Sequence, residues 1–235
     1  AKSAILIEAR SNRVIFERKA YDVRPSASLT KIFSGIVAYE EYLPSANVRI
    51  LQDAYRVNGS RFQKFQIGEL YTVEQLLHSL LIESSNTAAY ALSSVMGNER
   101  FITKMNEKAA LLGFKKTALF GPSGIDEEGS KTSAWEIAKV GEYLLYNEKL
   151  GEIMRKGTYV LYDAYGNFKR KVFTTNELWG IEGLYAAKTG FTDEAQGNLL
   201  LIIKHPVKAN EFLISVVLGS SDRASDTLKL LQLVK

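Results

Sequence analysis

Residues 25–42 read PSASLTKIFSGIVAYEEY, and the rest of the chain can be interpreted outward from this stretch. From residue 28 onward, apolar side chains recur every three or four positions, which predicts an amphipathic helix over 28–42. The apolar positions are Leu29, Ile32, Phe33, Ile36 and Val37. Pro44 follows and would stop the helix. The chain therefore has a long core-facing helix near its amino end.

Two polar residues, Ser28 and Lys31, stand at the start of this helix. Residues three apart lie on one helix face, so the lysine amine can reach the serine hydroxyl. A serine becomes a nucleophile when a base takes its proton, and a lysine can be that base only if its pKa is lowered. The apolar helix and its N-terminal dipole favour this chemistry. An N-cap serine beside a surface lysine would give the same pattern, so other motifs must decide.

The overall composition excludes several classes of protein. The 235 residues are 46% hydrophobic and 24% charged, which is the balance of a globular protein, and the net charge is only +4. Residues 169–171 (Lys-Arg-Lys) form one dense basic cluster, which we interpret as part of a solvated hairpin, and no nucleic-acid partner is expected. No apolar run is long enough to span a membrane.

Cysteine and histidine, the side chains that zinc sites and Ser-His-Asp hydrolases use, are scarce in this sequence. The chain has no cysteine and only two histidines, His78 and His205. A zinc peptidase would need more such ligands. A Ser-His-Asp hydrolase would need one of these histidines and a Gly-x-Ser-x-Gly turn, which the sequence lacks. We interpret both histidines as structural and expect neither a metal nor another cofactor.

The pattern of apolar residues predicts strands at both ends of the chain and helices between them. Strands are expected at 3–8, 13–18, 158–163, 169–174, 184–191, 198–204 and 211–218. Helices are expected from 72, from about 87, over 98–112, from 133 to about 146, and near 222–234. Thr72 with Gln75, and Ser133 with Glu136, have the spacing of capping boxes. We expect one domain over 1–235, with a sheet built from distant segments and a helical subdomain inserted at about 44–150.

Two further tripeptides could carry chemistry. Residues 84–86 read Ser-Ser-Asn at a polar break between helical stretches, and residues 188–190 read Lys-Thr-Gly in a predicted strand. The glycine would allow close approach to the strand backbone, and the lysine and threonine would suit a carboxylate. Each signal is weak alone, because a helix cap would explain the first and another Ser-x-Asn occurs at 45–47.

Together with Ser-x-x-Lys, these motifs reproduce in order the motif set of the serine penicillin-binding enzymes. Residues 25–31 resemble the PASLTK stretch of the low-molecular-mass D-alanyl-D-alanine carboxypeptidases, and residues 72–77 and 84–89 resemble that family's TVEDLL…SGNDAA segment. Further similarity runs through 105–126 and 174–192. The resemblance covers nearly the whole chain. It implies an α/β fold of the β-lactamase/D,D-peptidase type, with an antiparallel sheet flanked by helices.

The resemblance also implies how the motif residues act on the bond between two D-alanines. Ser28 would be the nucleophile, Lys31 the general base, and Ser84 the group that passes a proton to the leaving amine. Backbone N–H groups of Ser28 and Phe191 would form the oxyanion hole. The implied substrate-binding residues are Asn86, Lys188, Thr189, Gly190, Phe191 and Arg223. Of these, Arg223 would have a lesser role in anion binding, or would be a surface residue.

Three departures from the family pattern bear on specificity. Ser85 stands where the family usually has glycine, Ser123 stands where many members have histidine, and residues 185–187 resemble a short insertion. The last two are expected to touch the region that selects peptides. A D,D-endopeptidase that cuts cross-links is therefore an alternative to a carboxypeptidase. A β-lactamase is disfavoured because no Glu-x-x-Leu-Asn segment occurs between 86 and 188, and a non-catalytic penicillin-binding scaffold is the alternative from outside enzymology.

Partners and location follow from the resemblance alone. It implies peptidoglycan stem peptides as substrates and β-lactam antibiotics as covalent inhibitors. The expected location is outside the cytoplasmic membrane of a bacterium, in the periplasm or cell wall. Export would use a signal peptide that this chain does not carry, since residues 3–8 already alternate like a strand. Any membrane contact would come from segments outside this chain.

Overall fold

The computed structural model describes residues 1–55 and 65–234, and its elements are numbered here in chain order. The strands are Ser3–Glu8 (β1), Val14–Arg18 (β2), Arg24–Pro25 (β3), Asn47–Arg49 (β4), Leu70–Thr72 (β5), Lys131–Thr132 (β6), Thr158–Tyr162 (β7), Phe168–Phe173 (β8), Leu184–Thr192 (β9), Gln196–Lys204 (β10) and Phe212–Ser220 (β11). The helices are Thr30–Glu41 (α1), Gln52–Tyr55 (α2), Val73–Ile82 (α3), Asn86–Ser94 (α4), Asn98–Leu111 (α5), Ala134–Leu145 (α6), Glu148–Arg155 (α7) and Arg223–Leu231 (α8).

Five strands form one antiparallel sheet in the order β2-β1-β11-β10-β9. Its edges come from distant chain segments, as the strand pattern predicts. The N-terminal hairpin joins the C-terminal strands because β1 pairs with β11 along its length, from Ser3 opposite Leu218 to Glu8 opposite Leu213. Every residue of β1 is buried, so neither side of this strand faces solvent even though apolar residues alternate along it. Both faces of the sheet are covered.

Helices pack on the two faces and build the layers of the α/β fold. α6 contacts β1, β10 and β11 on one face, while α8 contacts β10 and β11 on the other. α1 packs against α3, α4 and α5, and it is buried from Thr30 to Ala38. The expected antiparallel sheet flanked by helices is therefore present, and the central position of α1 determines where Ser28 and Lys31 lie.

The two expected capping boxes are each only half formed. The Thr72 hydroxyl accepts from the Gln75 N–H at 3.2 Å, but the Gln75 side chain extends to Tyr159 and the Tyr162 N–H. The Ser133 hydroxyl likewise accepts from the Glu136 N–H. The Glu136 carboxylate, however, accepts from the backbone of residues 115–116. Tertiary donors and acceptors have replaced the reciprocal local bond of a complete capping box.

α7 and the β7–β8 hairpin differ from the expected pattern. The sequence does not predict α7, because Gly151 falls in its middle; a Cβ there would lie 2.7 Å from Tyr185 Cε1, so the glycine permits α7 to pack against β9. The strands β7 and β8 form the hairpin expected at the basic cluster, but as a separate two-stranded sheet. The assignment of residues 44–150 as an inserted subdomain stays a prediction. Within 1–55 and 65–234, the helices are too short or too polar for any to cross a membrane.

Candidate active site

Ser28 lies in a 3-10 turn, Ala27–Leu29, that runs directly into α1. The amine of Lys31 donates a 2.9 Å hydrogen bond to Ser28 Oγ and a 2.6 Å bond to the carbonyl oxygen of Ser123. Lys31 is fully buried, whereas Ser28 is half-buried. The two side chains therefore meet as their spacing predicts, and Ser28 keeps part of its surface exposed.

The environment of Lys31 changes its acidity. Burial disfavours the charged amine and lowers the pKa of Lys31 from 10.5 to about 7, while the Glu128 carboxylate acts in the opposite direction. At neutral pH a large fraction of the amine is therefore uncharged. An uncharged amine hydrogen-bonded to a hydroxyl can take its proton.

The backbone before Ser28 is held in an unusual conformation. Ala27 has a φ of 46°, which is uncommon for a residue with a side chain. Gly124 has a φ of 77° and packs so closely on this turn that a Cβ would lie 1.9 Å from the Ala27 carbonyl oxygen. Backbone strain of this kind persists where the surrounding structure enforces it, and it is concentrated at functional sites.

The polar break at residues 84–86 separates α3 from α4. Ser84 has a φ of 64°, again in the left-handed region. The Ser85 hydroxyl caps α4 by accepting from the Ala88 N–H at 3.1 Å, and Asn86 is the buried first residue of that helix. The serine that departs from the family's glycine therefore has a local structural function as a helix cap.

Lys188 in β9 reaches Ser84 from the sheet. Its Nζ donates to Ser84 Oγ at 2.8 Å and to the Thr189 carbonyl oxygen at 2.9 Å. The side chain is fully buried. Burial, followed by the positive charges of Lys31 and Arg223, holds the pKa of Lys188 well below its usual value. The second serine therefore also has a buried lysine as its hydrogen-bond partner.

Strand β9 lies directly against the turn that carries Ser28. A Cβ on Gly190 would lie 3.0 Å from the Ser28 backbone nitrogen, so the missing side chain allows this approach. Thr189 is buried, and its hydroxyl bonds that of Thr175. Phe191 follows with 58% of its surface exposed. The Lys-Thr-Gly strand and the Ser-x-x-Lys turn are therefore immediate neighbours.

Arg223, the first residue of α8, is attached to the same strand. Its Nη1 donates a 2.8 Å hydrogen bond to the Gly190 carbonyl oxygen, and its guanidinium also pairs with the Glu177 carboxylate. Arg223 is thus more than a solvated surface residue, since it lies beside the Lys-Thr-Gly segment. Part of its hydrogen-bonding capacity is already used by Glu177.

Glu128 is a residue of this site that the motifs do not predict. Its Oε1 accepts from Ser123 Oγ at 2.6 Å and from the Tyr90 hydroxyl at 2.9 Å, and its Oε2 accepts from the Gly124 N–H at 2.6 Å. Glu128 therefore fixes the loop whose Ser123 carbonyl accepts from Lys31, and it ties this loop to α4. In the sequence it ends an acidic run, 126–128, which reads as a solvated turn.

Two departures from the family pattern are mostly buried. The Ser123 side chain is fully buried and its hydroxyl is directed at Glu128. Ala186 and Ala187 are buried in β9, and Tyr185 is the extra residue at a register shift in the pairing with β10. The expectation that these two departures touch the region that selects peptides stays a prediction.

Both histidines have structural surroundings. His78 stacks on Tyr159, and burial lowers the pKa of His78 to about 4. His205 Nδ1 accepts from the backbone N–H groups of Val207 and Lys208 in the turn after β10. In residues 1–55 and 65–234, no group of three or more His, Cys, Asp or Glu side chains is arranged to hold a metal ion.

Comparison with known proteins gives relatives along most of the chain. A model of the D-alanyl-D-alanine carboxypeptidase family matches residues 1–222. The chain is 33% identical to the D-alanyl-D-alanine carboxypeptidase DacF of Bacillus subtilis, over 94% of this chain and 58% of that protein. It is 31% identical to a D-alanyl-D-alanine endopeptidase of Haemophilus influenzae, over 88% of this chain and 72% of the relative. The chain thus spans less than two thirds of the Bacillus protein.

Solved structures show the same fold. The Streptomyces K15 DD-transpeptidase matches with a TM-score of 0.90 at 24% identity, covering 99% of this chain and 96% of that one. The D-alanyl-D-alanine carboxypeptidase DacD of Francisella tularensis matches with a TM-score of 0.87 at 23% identity, covering 99% and 70%. These structural similarities show the fold. Membership of the family is shown by the family model, which matches residues 1–222. The chain therefore belongs to the D-alanyl-D-alanine carboxypeptidase family.

Proposed function

We propose that this chain is a serine D,D-carboxypeptidase that removes the terminal D-alanine from peptidoglycan stem peptides through an acyl-enzyme. The observation that carries the proposal is the hydrogen bond from Lys31, a buried amine with a pKa of about 7, to the half-buried hydroxyl of Ser28. A nucleophile and a base matched to neutral pH are what acyl transfer requires.

Acylation begins when neutral Lys31 takes the proton of Ser28 Oγ, which attacks the carbonyl carbon between the two D-alanines. The oxyanion is stabilised by the backbone N–H groups of Ser28 and Phe191, which the close approach at Gly190 brings into the same region. Ser84 gives a proton to the leaving nitrogen, so that the C–N bond breaks and D-alanine departs. The proton on Lys31 then passes to Ser84 and replaces the one that Ser84 gave. A water molecule finally hydrolyses the acyl-serine.

Substrate is held mainly through its terminal carboxylate. Lys188 and the hydroxyl of Thr189 are the binding groups, because they lie on the strand next to Ser28 and Ser84. Arg223 adds positive charge from the other side of Gly190. Asn86, at the first turn of α4, holds the peptide backbone and orients Lys31. In this proposal β-lactams acylate Ser28 as covalent inhibitors, because they carry a carboxylate next to a reactive amide.

The proposed setting is the bacterial cell wall or periplasm, where stem peptides occur. A D,D-endopeptidase that cuts cross-links is the second candidate, favoured by the likeness to the Haemophilus endopeptidase. The two can be separated by offering a pentapeptide ending in D-Ala-D-Ala and a cross-linked muropeptide dimer side by side. Release of D-alanine without cleavage of the dimer supports the carboxypeptidase, and cleavage of the dimer supports the endopeptidase.

Intact mass after brief exposure to penicillin tests the acyl-serine chemistry. The expected result is one long-lived adduct on the wild-type chain and none on Ser28→Ala. An adduct that vanishes within seconds while the drug is hydrolysed would assign β-lactamase activity instead. If the wild-type chain forms no adduct, the catalytic proposal is wrong and a non-catalytic role on this fold takes its place.

A further inference from the structure

Ser84 is held in a backbone conformation that few residues with side chains adopt. Its φ of 64° lies in the left-handed region, where a serine stays only if its neighbours fix it. It directly follows Glu83, the C-cap residue of α3. Lys188 contacts the Ser84 hydroxyl itself, whereas the side chain of Glu83 can act on the backbone conformation of Ser84 through the adjoining peptide bond.

Glu83 is bound by Arg170 of β8. Arg170 Nη1 donates to Glu83 Oε2 at 2.7 Å, and its Nη2 pairs with Oε1, so the contact is bidentate. The same Oε1 accepts a 2.6 Å bond from Ser79 Oγ, one turn earlier in α3. The ion pair is largely withdrawn from solvent, with 16% of the Arg170 side chain and 11% of the Glu83 side chain exposed. A pair with this geometry permits little movement.

The backbone around Ser84 is fixed by the same elements. The Ser85 N–H donates to the Ser79 carbonyl oxygen at 3.2 Å, and the Thr175 N–H, just beyond β8, donates to the Ile82 carbonyl oxygen at 3.2 Å. β8 and the residues just after it therefore meet the end of α3 immediately before Ser84, at Ile82 and Glu83. The Glu83–Arg170 ion pair supplies the charged contact of this junction.

Stability alone is a poor explanation for this ion pair. Withdrawing two charges from water has a large desolvation cost. Apolar side chains of similar volume often stabilise a fold as much as a buried ion pair or more. The neighbouring residue of β8, Lys169, already attaches the hairpin through Glu69, which precedes β5. We propose that Glu83 and Arg170 are positioning residues, which hold Ser84 in the orientation that lets its hydroxyl give a proton to the leaving group.

This inference rests on the proposed function, in which Ser84 protonates the leaving nitrogen, and it has a specific chemical consequence. An amide nitrogen must be protonated before it can leave. A thiolate leaves unprotonated, because thiols have a pKa of about 8.5. A substrate whose last D-alanine is replaced by a thioester-linked mercapto acid therefore has the same carboxylate and carbonyl but does not need Ser84 as a proton donor.

The test compares these two substrates in Arg170→Gln, Glu83→Gln and the milder Arg170→Lys. The expected result is a fall in kcat/KM for the D-Ala-D-Ala peptide of about tenfold or more, with the thioester changed by less than about threefold. Arg170→Lys keeps the charge but loses the bidentate contact, so it should fall between the wild type and Arg170→Gln. Lys169→Gln is the matched control, since it removes the adjacent ion pair of the same strand and should leave the ratio of the two substrates unchanged.

The substrate ratio separates positioning from general damage. A parallel fall for both substrates, no fall for either, or the same split in Lys169→Gln would overturn the inference. Thermal melting of each variant identifies a chain that has failed to fold, and Arg170→Lys then decides the question. If penicillin still labels Ser28 in the wild-type chain while the ratio does not change, this inference fails and the proposed function stands.

Discussion

Two buried lysines each bond a serine in this molecule, and their surroundings are electrically opposite. Lys31 and Ser28 lie three residues apart at one helix start, with the Glu128 carboxylate near the amine. Lys188 reaches Ser84 across 104 residues, and its charged neighbours are Lys31 and Arg223. A carboxylate opposes the loss of charge on Lys31, whereas like charges reinforce it on Lys188.

This difference in charged neighbours favours different roles for the two amines. Lys31 has a pKa of about 7 and can exchange a proton at neutral pH. Among the residues that the structure describes, the charged groups that act on Lys188 are both cations, so an arriving carboxylate would raise the pKa of Lys188. These surroundings favour Lys31 as the base and Lys188 as the anion site.

The largest effect is expected for Lys31→Gln. Without the base, Ser28 keeps its proton, and the rate of penicillin acylation should fall by about a hundredfold to ten-thousandfold. The rate of adduct formation, followed by intact mass, measures this loss. A Lys31→Gln chain that acylates at a wild-type rate would remove the distinction between the two amines.

Lys188→Gln should have the next largest effect, and only on substrates with a terminal carboxylate. A hydrogen bond to a charged group contributes about 1.5–3 kcal/mol, so kcat/KM should fall roughly ten- to hundredfold. The control is the same peptide with a C-terminal carboxamide, on which wild type and variant should differ little. Equal losses on both peptides would mean that Lys188 does not act through the carboxylate.

The pH profile of acylation should show a smaller but directional effect. The base must be neutral, so kcat/KM should rise with pH through the Lys31 pKa of about 7. Glu128 raises that pKa, and Glu128→Gln should therefore move this acidic limb to lower pH. Glu69→Gln, which removes a carboxylate paired with Lys169, should leave the limb in place. A limb that moves to higher pH in Glu128→Gln would contradict this account.

The smallest effect is expected at Ser85, which caps the helix beside the second pair. Ser85→Ala should lower the free energy of unfolding by about 1 kcal/mol, and Ser85→Gly by only a few tenths, because glycine is tolerated at an N-cap. Denaturant titration measures both values. If alanine and glycine cost the same, the hydroxyl does not cap α4 in solution.

The two pairs also differ in how far the sequence predicts them. A helix brings residues three apart together, so the contact of Ser28 with Lys31 follows from spacing. No spacing rule joins Ser84 to Lys188, and resemblance to the family was needed to place them in one site. The contacts of Glu128 and the Arg170–Glu83 pair were not predicted, because they join segments with no shared pattern. α7 was missed for a similar reason, since the glycine in its middle is explained only by Tyr185 packing on it.

The pairing of β1 with β11 has a consequence for the order of folding. Ser3 lies opposite Leu218, so β1 cannot complete its pairing until β11, more than 200 residues later, has been synthesised. Contacts of such high sequence separation form late and slowly. β9, which carries Lys188, also depends on β10 and β11 for its place in the sheet. A nascent chain would carry Ser28 and Lys31 long before the Lys-Thr-Gly strand could pack beside them.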